Sequence, residues 1–132
     1  MEETNIRSYR DLRVWQNAMD LAGACYQLTR RFPKEELYGM ISQVRRASVS
    51  VAANIAEGHG RNNRGDYIQF LRIAQGSLKE LETHLLLSQN LKICPSHEVG
   101  PILDQCDAIG RMLHGLIRSL QAGRKRIADS EQ

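Results

Sequence analysis

The chain has 132 residues, of which 42% are apolar and 25% are charged, and its formal net charge is +3. This length suits one domain, and a domain of this size buries enough surface to fold without disulfides or a structural metal. A dedicated DNA-binding domain usually carries a larger positive charge than this. Of the 18 basic residues, 14 are Arg, whose guanidinium pairs bidentately with phosphate or carboxylate. The composition therefore leaves anion contacts open without demanding them.

The cysteines and the hydropathy pattern bear on the compartment. The three cysteines, Cys25, Cys94 and Cys106, are an odd number without CxxC spacing, which favours a reducing environment over a disulfide framework. The sequence has no run of 18 apolar residues, and no apolar segment follows its polar first residues. We therefore expect a cytoplasmic protein with neither a membrane span nor a secretory signal.

A first helix is predicted from about Arg10 to Phe32, started by a capping-box pair, Ser8 and Asp11. It carries two apolar stripes: Leu12, Trp15, Met19, Ala22 and Tyr26 on one side, and Val14, Ala18, Leu21, Cys25, Leu28 and Phe32 on the other. Together the stripes cover about half of the helix surface, more than one edge helix of a monomeric bundle needs. We therefore expect this helix to contact something beyond its own bundle, and for Trp15 both core packing and a subunit interface remain open.

Three more helices follow. The second, about Tyr38 to Glu57, is rich in small residues and has the seam Ile41, Val44, Ser48, Val51 and Ile55. The third, about Arg64 to Asn90, is capped by Asn63 and has the seam Tyr67, Leu71, Ala74, Leu78, Leu81, Leu85 and Ser88. The fourth, about Ser96 to Ala122, is capped by Ser96 and has the seam Val99, Ile102, Cys106, Ile109, Leu113, Leu116 and Leu120.

Short connections between long helices predict an all-α, antiparallel, up-down-up-down four-helix bundle. We assign residues 9–122 to this bundle, residues 1–8 to a flexible N-terminus and residues 123–132 to a polar, disordered tail. The apolar period of 3.5 residues favours the shallow crossing angle of a left-handed bundle.

Three blocks carry a family resemblance: YRDLRVWQNAMDLA from Tyr9, QVRRASVSVAANIAEGHGR from Gln43 and YIQFLRIAQGSLKELETHL from Tyr67. With these blocks in this order, nearly the whole chain closely resembles the 23S rRNA intervening-sequence proteins, a family of small bacterial four-helix bundles. The resemblance implies a homopentamer and a distant kinship to accessory proteins of diversity-generating retroelements, which are thought to bind nucleic acid and a reverse transcriptase. It implies no enzymatic activity. One departure is His59, where the family more often has an aromatic residue.

A polar cluster is predicted near the end of the second helix. It comprises Asn54, Glu57 and Arg61, with Ser77 and Glu80 on the third helix. Two interpretations remain open: a site for a ligand or an RNA backbone, and a hydrogen-bonded network that fixes the helix register. A small-molecule enzyme using Asn54, Glu57 and Glu80 is a third interpretation, and it requires a concave pocket with perturbed carboxylates.

Basic residues form the candidate nucleic-acid surface: Arg45, Arg46, Arg61, Arg64, Arg118, Arg124, Lys125 and Arg126. In an up-down bundle the second and fourth helices end at the same pole, so Arg61, Arg64, Arg118 and residues 124–126 are expected to converge there. A ring of copies would repeat this patch for phosphate contacts. The alternative is a solvated helix end, where cations are favourable near the C-terminal dipoles.

No catalytic, cofactor or metal-binding motif is expected. A di-iron bundle needs two Glu-x-x-His helices, whereas here only Glu80 and His84 pair, four residues apart. Nor does a P-loop or a GxGxxG motif occur. The sequence thus favours a non-enzymatic, homo-oligomeric binding or scaffold protein that contacts RNA or a nucleoprotein partner. The alternative is a protein–protein adaptor with no nucleic-acid role.

Overall fold

The computed structural model describes the backbone of residues 6–130 and the side chains of residues 6–123. Four α-helices dominate it: α1 (Arg13–Thr29), α2 (Ser42–His59), α3 (Arg64–Asn90) and α4 (Ser96–Ser130). No β-strand occurs in the described part of the chain. Successive helices pack side by side, and α4 closes the square by packing on α1, so that the α1–α2 face is opposite the α3–α4 face. The predicted all-helical four-helix bundle is confirmed.

Side-chain contacts fix the antiparallel register of the helices. The hydroxyls of Ser50 on α2 and Ser77 on α3 are 2.8 Å apart, and Gly58 near the end of α2 lies against Phe70 near the start of α3. Because residue numbers rise along one helix as they fall along the other, the two chains run in opposite directions. The small residues of α2 help these two helices to approach closely.

The helix ends follow local signals. The predicted capping box of Ser8 and Asp11 is present, but it caps a 3-10 turn, Tyr9–Asp11, and α1 begins only at Arg13 because Leu12 is extended. Asn63 caps α3, accepting a hydrogen bond from the backbone N–H of Asp66 at 2.8 Å. Helix α4 begins with Ser96 as its first residue and continues past Ala122, the predicted end.

The connection between α1 and α2 departs from the predicted start of α2. A 3-10 turn, Lys34–Glu36, leads into a π-helical turn, Leu37–Ile41, in which Gly39 has the non-helical angles φ −109° and ψ −110°. The Glu36 side chain accepts a hydrogen bond from the backbone N–H of Met40 at 3.1 Å. The regular helix therefore starts at Ser42 rather than at Tyr38.

The core is formed by the predicted seams. The α2 seam is buried throughout, and the α3 seam is buried from Leu71 to Ser88 with Tyr67 half-buried. On α4 the seam holds as far as Leu113, after which Ile117 is buried while Leu116 and Leu120 are half-buried. The buried face of a straight α-helix rotates by about 20° per heptad relative to a strict 3.5-residue repeat. The buried residue near the end of α4 is therefore Ile117 and not Leu116, which the repeat predicts.

The two stripes of α1 have different surroundings. The stripe from Val14 to Phe32 is buried in the core. In the other stripe Leu12 and Ala22 are also buried, and Trp15 is half-buried against the core. Its two remaining residues, Met19 and Tyr26, are 48% and 39% exposed. Val49, on the neighbouring helix α2, is 45% exposed. We call the exposed residues Met19, Tyr26 and Val49 the apolar ridge.

The bundle helices are amphipathic rather than uniformly apolar. No helix in the described part of the chain combines the length and apolar character that crossing a membrane requires.

Candidate nucleic-acid interface

The pole where α2 ends and α3 begins is built on a close helix contact. A Cβ added to Gly58 would lie 2.8 Å from the Cβ of Phe70 and 3.3 Å from the carbonyl oxygen of Tyr67. Only glycine allows this approach without displacing α3. Gly60 closes α2, and Arg61–Asn63 connects it to α3. The short connection holds Arg61 and Arg64 on one end of the bundle.

Arg61 stands over an aromatic ring. Its guanidinium Nη2 lies 2.8 Å from Oε2 of Glu57, and its Cζ lies 4.6 Å from the ring centre of Phe70. The side chains of Arg61 and Glu57 are 43% and 57% exposed. An exposed ion pair of this kind contributes little stability, commonly below about 1 kcal/mol. The guanidinium is therefore held between Glu57 at the end of α2 and Phe70 of α3, yet it remains accessible to an anion.

Arg64 reaches from α3 to α4. A Cβ added to Gly123 would lie 3.1 Å from both Cζ and Nη1 of Arg64, so the guanidinium lies directly over this glycine. Arg118 is exposed and precedes Gly123 on the same helix by five residues, roughly 7.5 Å of helix rise. Arg61 and Arg64 thus lie at the end of the bundle where Gly123 lies, and Arg118 is on α4 about 140° around the helix from Gly123. We call these three residues the arginine pole.

Aromatic rings accompany these arginines. His59 meets Tyr67 edge to face with ring centres 5.8 Å apart. On the α1 side, Tyr9 and Trp15 form a second edge-to-face pair at 5.1 Å. His59 takes the place of the aromatic residue that the family resemblance implies at its position, and it makes an aromatic-type contact there.

The 3-10 turn before α1 also lies close to this end of the bundle. The pKa of the Asp11 carboxyl is lowered, first by the backbone N–H of Arg7 and then by that of Ser8, with smaller contributions from the charges of Arg7 and His59. The two hydrogen bonds measure 2.9 and 3.2 Å. The 3-10 turn Tyr9–Asp11 is in contact with α2.

Two predicted cations lie elsewhere. Arg45 donates from Nε to the hydroxyl of buried Thr29 at 2.8 Å, and its Cζ lies 4.6 Å from the ring centre of Tyr26. It therefore ties α2 to α1. Arg46 is exposed and hydrogen-bonds Gln43 on its own helix. Arg45 and Arg61 are 16 residues apart, roughly 24 Å of helix rise, so Arg45 and Arg46 do not belong to the arginine pole.

The remaining predicted cations, Arg124, Lys125 and Arg126, lie outside the residues whose side chains the structure describes. Their backbone continues α4 beyond Gly123.

The structure divides the predicted polar cluster into three parts. Asn54 donates to the Ser50 carbonyl at 2.8 Å and to the Ser50 hydroxyl at 3.0 Å, and this hydroxyl meets that of Ser77. Glu57 instead pairs with Arg61, which lies just beyond the end of α2. Glu80 approaches His84, with Oε2 and Nε2 3.5 Å apart.

The helix register explains this division. Gly58 is opposite Phe70, and Glu80 lies ten residues further along α3, roughly 15 Å away from the level of Glu57. The two carboxylates therefore do not share a site. Ser50, which the sequence marked only as a small residue, is the link between Asn54 and Ser77. The Ser50, Asn54 and Ser77 side chains form one hydrogen-bonded group between α2 and α3. Within residues 6–123 no buried side-chain polar atom lacks a hydrogen-bond partner.

The buried thiols are poor nucleophiles. Burial raises the pKa of both Cys25 and Cys106 to about 12, and the pKa of Cys94 is raised as well, mainly by burial. Because the thiolate is the reactive form, these residues act as core side chains. Among the described residues, His, Cys, Asp and Glu side chains form no group of three that could hold a metal ion.

Comparisons with known proteins agree with this architecture. The chain is similar to a protein of unknown function from the S23 ribosomal protein family of Bacteroides thetaiotaomicron VPI-5482, whose crystal structure aligns with a TM-score of 0.71. The alignment covers 79% of this chain and 97% of that one at 23% sequence identity, so it supports the fold alone. No curated protein matches the chain. A family model described as "23S rRNA-intervening sequence protein" matches residues 10–115, and the chain therefore belongs to this family.

Proposed function

We propose that this protein is a non-enzymatic, self-assembling scaffold that contacts RNA through the arginine pole. The observation that carries the proposal is the position of Arg61 and Arg64 at the end of the bundle, where Arg64 covers Gly123 of α4 and exposed Arg118 precedes that glycine by five residues. Phosphate contacts by exposed arginines supply the sequence-independent part of nucleic-acid affinity. Proteins that bind RNA also use aromatic rings and guanidinium planes to stack bases, and Arg61 on Phe70 offers such a plane.

Self-assembly would raise the RNA affinity of the arginine pole, which is a small basic surface in one chain. The chain has a net charge of only +3, so a single arginine pole presents few phosphate contacts. Several copies held in one particle raise the effective concentration of each further contact, and avidity can exceed the single-site affinity by about 10²–10⁴. The uncovered apolar ridge supports assembly because a soluble monomer gains by burying such side chains. A pentamer is the stoichiometry that the family resemblance implies.

Binding of a structured RNA, followed by fluorescence anisotropy over a series of salt concentrations, tests the RNA part of this proposal. We expect affinity to fall steeply with salt in the wild type. In the double variant Arg61→Ala/Arg64→Ala we expect weaker binding and a salt slope reduced by roughly one per lost phosphate contact. The matched control is Arg30→Ala/Arg46→Ala, which removes the same charge from exposed positions away from the pole.

The Arg30→Ala/Arg46→Ala control distinguishes a specific RNA contact at the arginine pole from a general effect of lower net charge. Equal losses in both double variants would show that the arginine pole has no special role. An assembled wild type that binds no RNA at low ionic strength would contradict RNA binding and would favour a protein–protein adaptor. Thermal unfolding of each variant confirms that the Arg61→Ala change has not unfolded the end of α2.

A further inference from the structure

Two neighbouring helices of the bundle carry the same eight-residue pattern. Residues 72–79 of α3 read RIAQGSLK, and residues 111–118 of α4 read RMLHGLIR. In each segment the first residue is Arg, the fifth is Gly and the last is Lys or Arg. These positions are three or four residues apart, so they lie on one side of their helix. We call the six residues the twin motif: Arg72, Gly76 and Lys79 on α3, and Arg111, Gly115 and Arg118 on α4.

The two segments face each other across a groove between α3 and α4. Lys79 and Arg111 line this groove, which encloses about 660 Å³. Arg72 and Arg118 lie seven residues, two helical turns, from Lys79 and Arg111 and so share the groove side of their helices. The four cations therefore form two rows, one on each wall, and the members of a row are roughly 10.5 Å apart along the helix.

Charge is distributed unevenly along the groove. Gly110 of α4 is opposite Leu78 of α3, because a Cβ added to that glycine would lie 3.5 Å from the Leu78 side chain. In antiparallel helices this register places the cations of the twin motif at the levels of about residues 109–118 of α4. The acidic residues that line the groove, Glu82 and Asp107, lie at about 106–107, and Glu82 is 3.2 Å from Lys79. A polyanion is therefore attracted to the half of the groove nearer to the arginine pole.

The arginines of the twin motif are not neutralised within the bundle. Arg72, Arg111 and Arg118 are exposed, and none of them pairs with a carboxylate among the side chains of residues 6–123. Gln75 and His114, which also line the groove, offer further hydrogen-bonding groups beside them. The groove walls thus present positive charge that is available to an external anion.

Packing does not explain the two glycines of the twin motif. Gly76 and Gly115 are exposed, and a Cβ added to either would meet nothing within 4 Å. Glycine is, after proline, the least favourable residue in the interior of a helix. A glycine between two cations leaves the helix backbone bare, so a ligand approaches it more closely than a side chain would allow. The glycines are therefore suited to an external chain that lies against both helices.

From these features we propose that the twin motif binds the sugar–phosphate backbone of a single-stranded RNA segment, with a base turned toward the floor of the groove. The inference rests on the RNA binding proposed above and extends the contact along the α3–α4 face, since Arg118 belongs to both surfaces. Exposed cations in two open rows fit a polymer, whereas small-molecule sites enclose their ligand. A single strand fits because its unstacked bases can reach the apolar floor formed by Leu78 and Cys106.

Fluorescence anisotropy with an unstructured oligoribonucleotide of about ten nucleotides tests the contribution of the cations. Arg72→Ala/Arg111→Ala should weaken binding about tenfold at low salt and reduce the salt slope by about 1.4, because each phosphate contact to a single strand accounts for about 0.7. The matched control is Arg30→Ala/Arg46→Ala, which removes the same charge from exposed positions outside the groove and should bind RNA like the wild type.

A second pair of variants tests the glycines without changing the charge. Gly76→Leu/Gly115→Leu covers the bare backbone with side chains that enter open space, so the bundle should fold while RNA binding weakens severalfold. The matched control is Gly23→Leu/Gly100→Leu, because a Cβ at either of these helical glycines likewise meets nothing within 4 Å. Thermal unfolding confirms that both proteins are folded.

Three results would overturn the proposal: equal losses in Arg72→Ala/Arg111→Ala and its control, unchanged binding by Gly76→Leu/Gly115→Leu, or tighter binding of an RNA duplex than of the single strand. If Arg61→Ala/Arg64→Ala were still impaired in these cases, the proposed scaffold function would survive and only this RNA path would be lost. A wild type that binds no RNA would remove both.

Discussion

The contact between α2 and α3 at Gly58 makes a quantitative prediction. In Gly58→Ala the new methyl group would lie 2.8 Å from the Cβ of Phe70, 3.1 Å from Cδ1 of Tyr67 and 3.3 Å from the Tyr67 carbonyl oxygen. The Phe70 Cβ and the Tyr67 carbonyl are fixed by the backbone of α3, so a side-chain rotation cannot relieve the clash. The helices must move apart at this position.

The size of the effect follows from two opposing contributions. Overpacking of this kind costs about 1–3 kcal/mol, and a backbone-anchored clash belongs at the upper end. Replacing glycine by alanine gains at most about 1 kcal/mol of helix propensity, and less here because Gly58 is the next-to-last residue of α2. We expect a net loss of about 2 kcal/mol in the free energy of unfolding, or about 4–8 °C in Tm for a domain of this size.

Thermal and urea unfolding of the purified protein measures this loss. Gly76→Ala is the matched control, because its methyl group meets nothing and should raise stability by about 1 kcal/mol. All proteins are compared at one concentration, since assembly shifts the apparent Tm. Equal stability of Gly58→Ala and the wild type would refute the close approach of α2 and α3.

Further predictions concern the hydrogen bonds, the thiols and the pH dependence of the bundle. In urea unfolding, Ser50→Ala should lower the free energy of unfolding by about 1 kcal/mol more than Ser77→Ala does. The Ser50→Ala change leaves the buried Ser77 hydroxyl without its partner, whereas after Ser77→Ala the Ser50 hydroxyl still bonds Asn54. At pH 8, Cys94 should react with a thiol reagent before Cys25, as mass spectrometry would show, because burial raises the Cys25 pKa to about 12. The folded-state pKa of Asp11 is lowered, so its stabilisation is present above the ordinary value of 3.8 and is lost as the pH falls below it. The Tm of Asp11→Asn should therefore decrease less than the wild-type Tm as the pH is lowered below 3.8.

The sequence was sufficient for most of the fold. The bounds of α3, Arg64 and Asn90, agree with the prediction, because Asn63 supplies a strong cap and the apolar series behind it is unbroken. The irregular turn at Leu37–Ile41 was not predicted, since Ile41 continues the periodicity of the helix that follows and nothing in that pattern marks the kink at Gly39. Periodicity specifies which side chains share a face, but not where a backbone departs from the helix.

The candidate site was harder to predict because it depends on how neighbouring helices are rotated and aligned. Arg45 was grouped with the other cations, although its position faces α1 and engages Thr29 and Tyr26. Glu57 and Glu80 were grouped because adjacent antiparallel helices can bring such residues alongside each other, but the register places them at different levels. The excess apolar width of α1 only partly corresponds to exposed side chains, because Leu12 and Ala22 of the second stripe are buried while Met19 and Tyr26 are exposed.

Native mass spectrometry of the purified protein mixed with a structured RNA tests the central claim most directly. If the protein is a self-assembling RNA-binding scaffold, the spectrum at low ionic strength contains several 15.0 kDa chains together with RNA in one particle, and the RNA is lost as salt rises. A spectrum with single chains, or with assembled chains that never carry RNA, would contradict it.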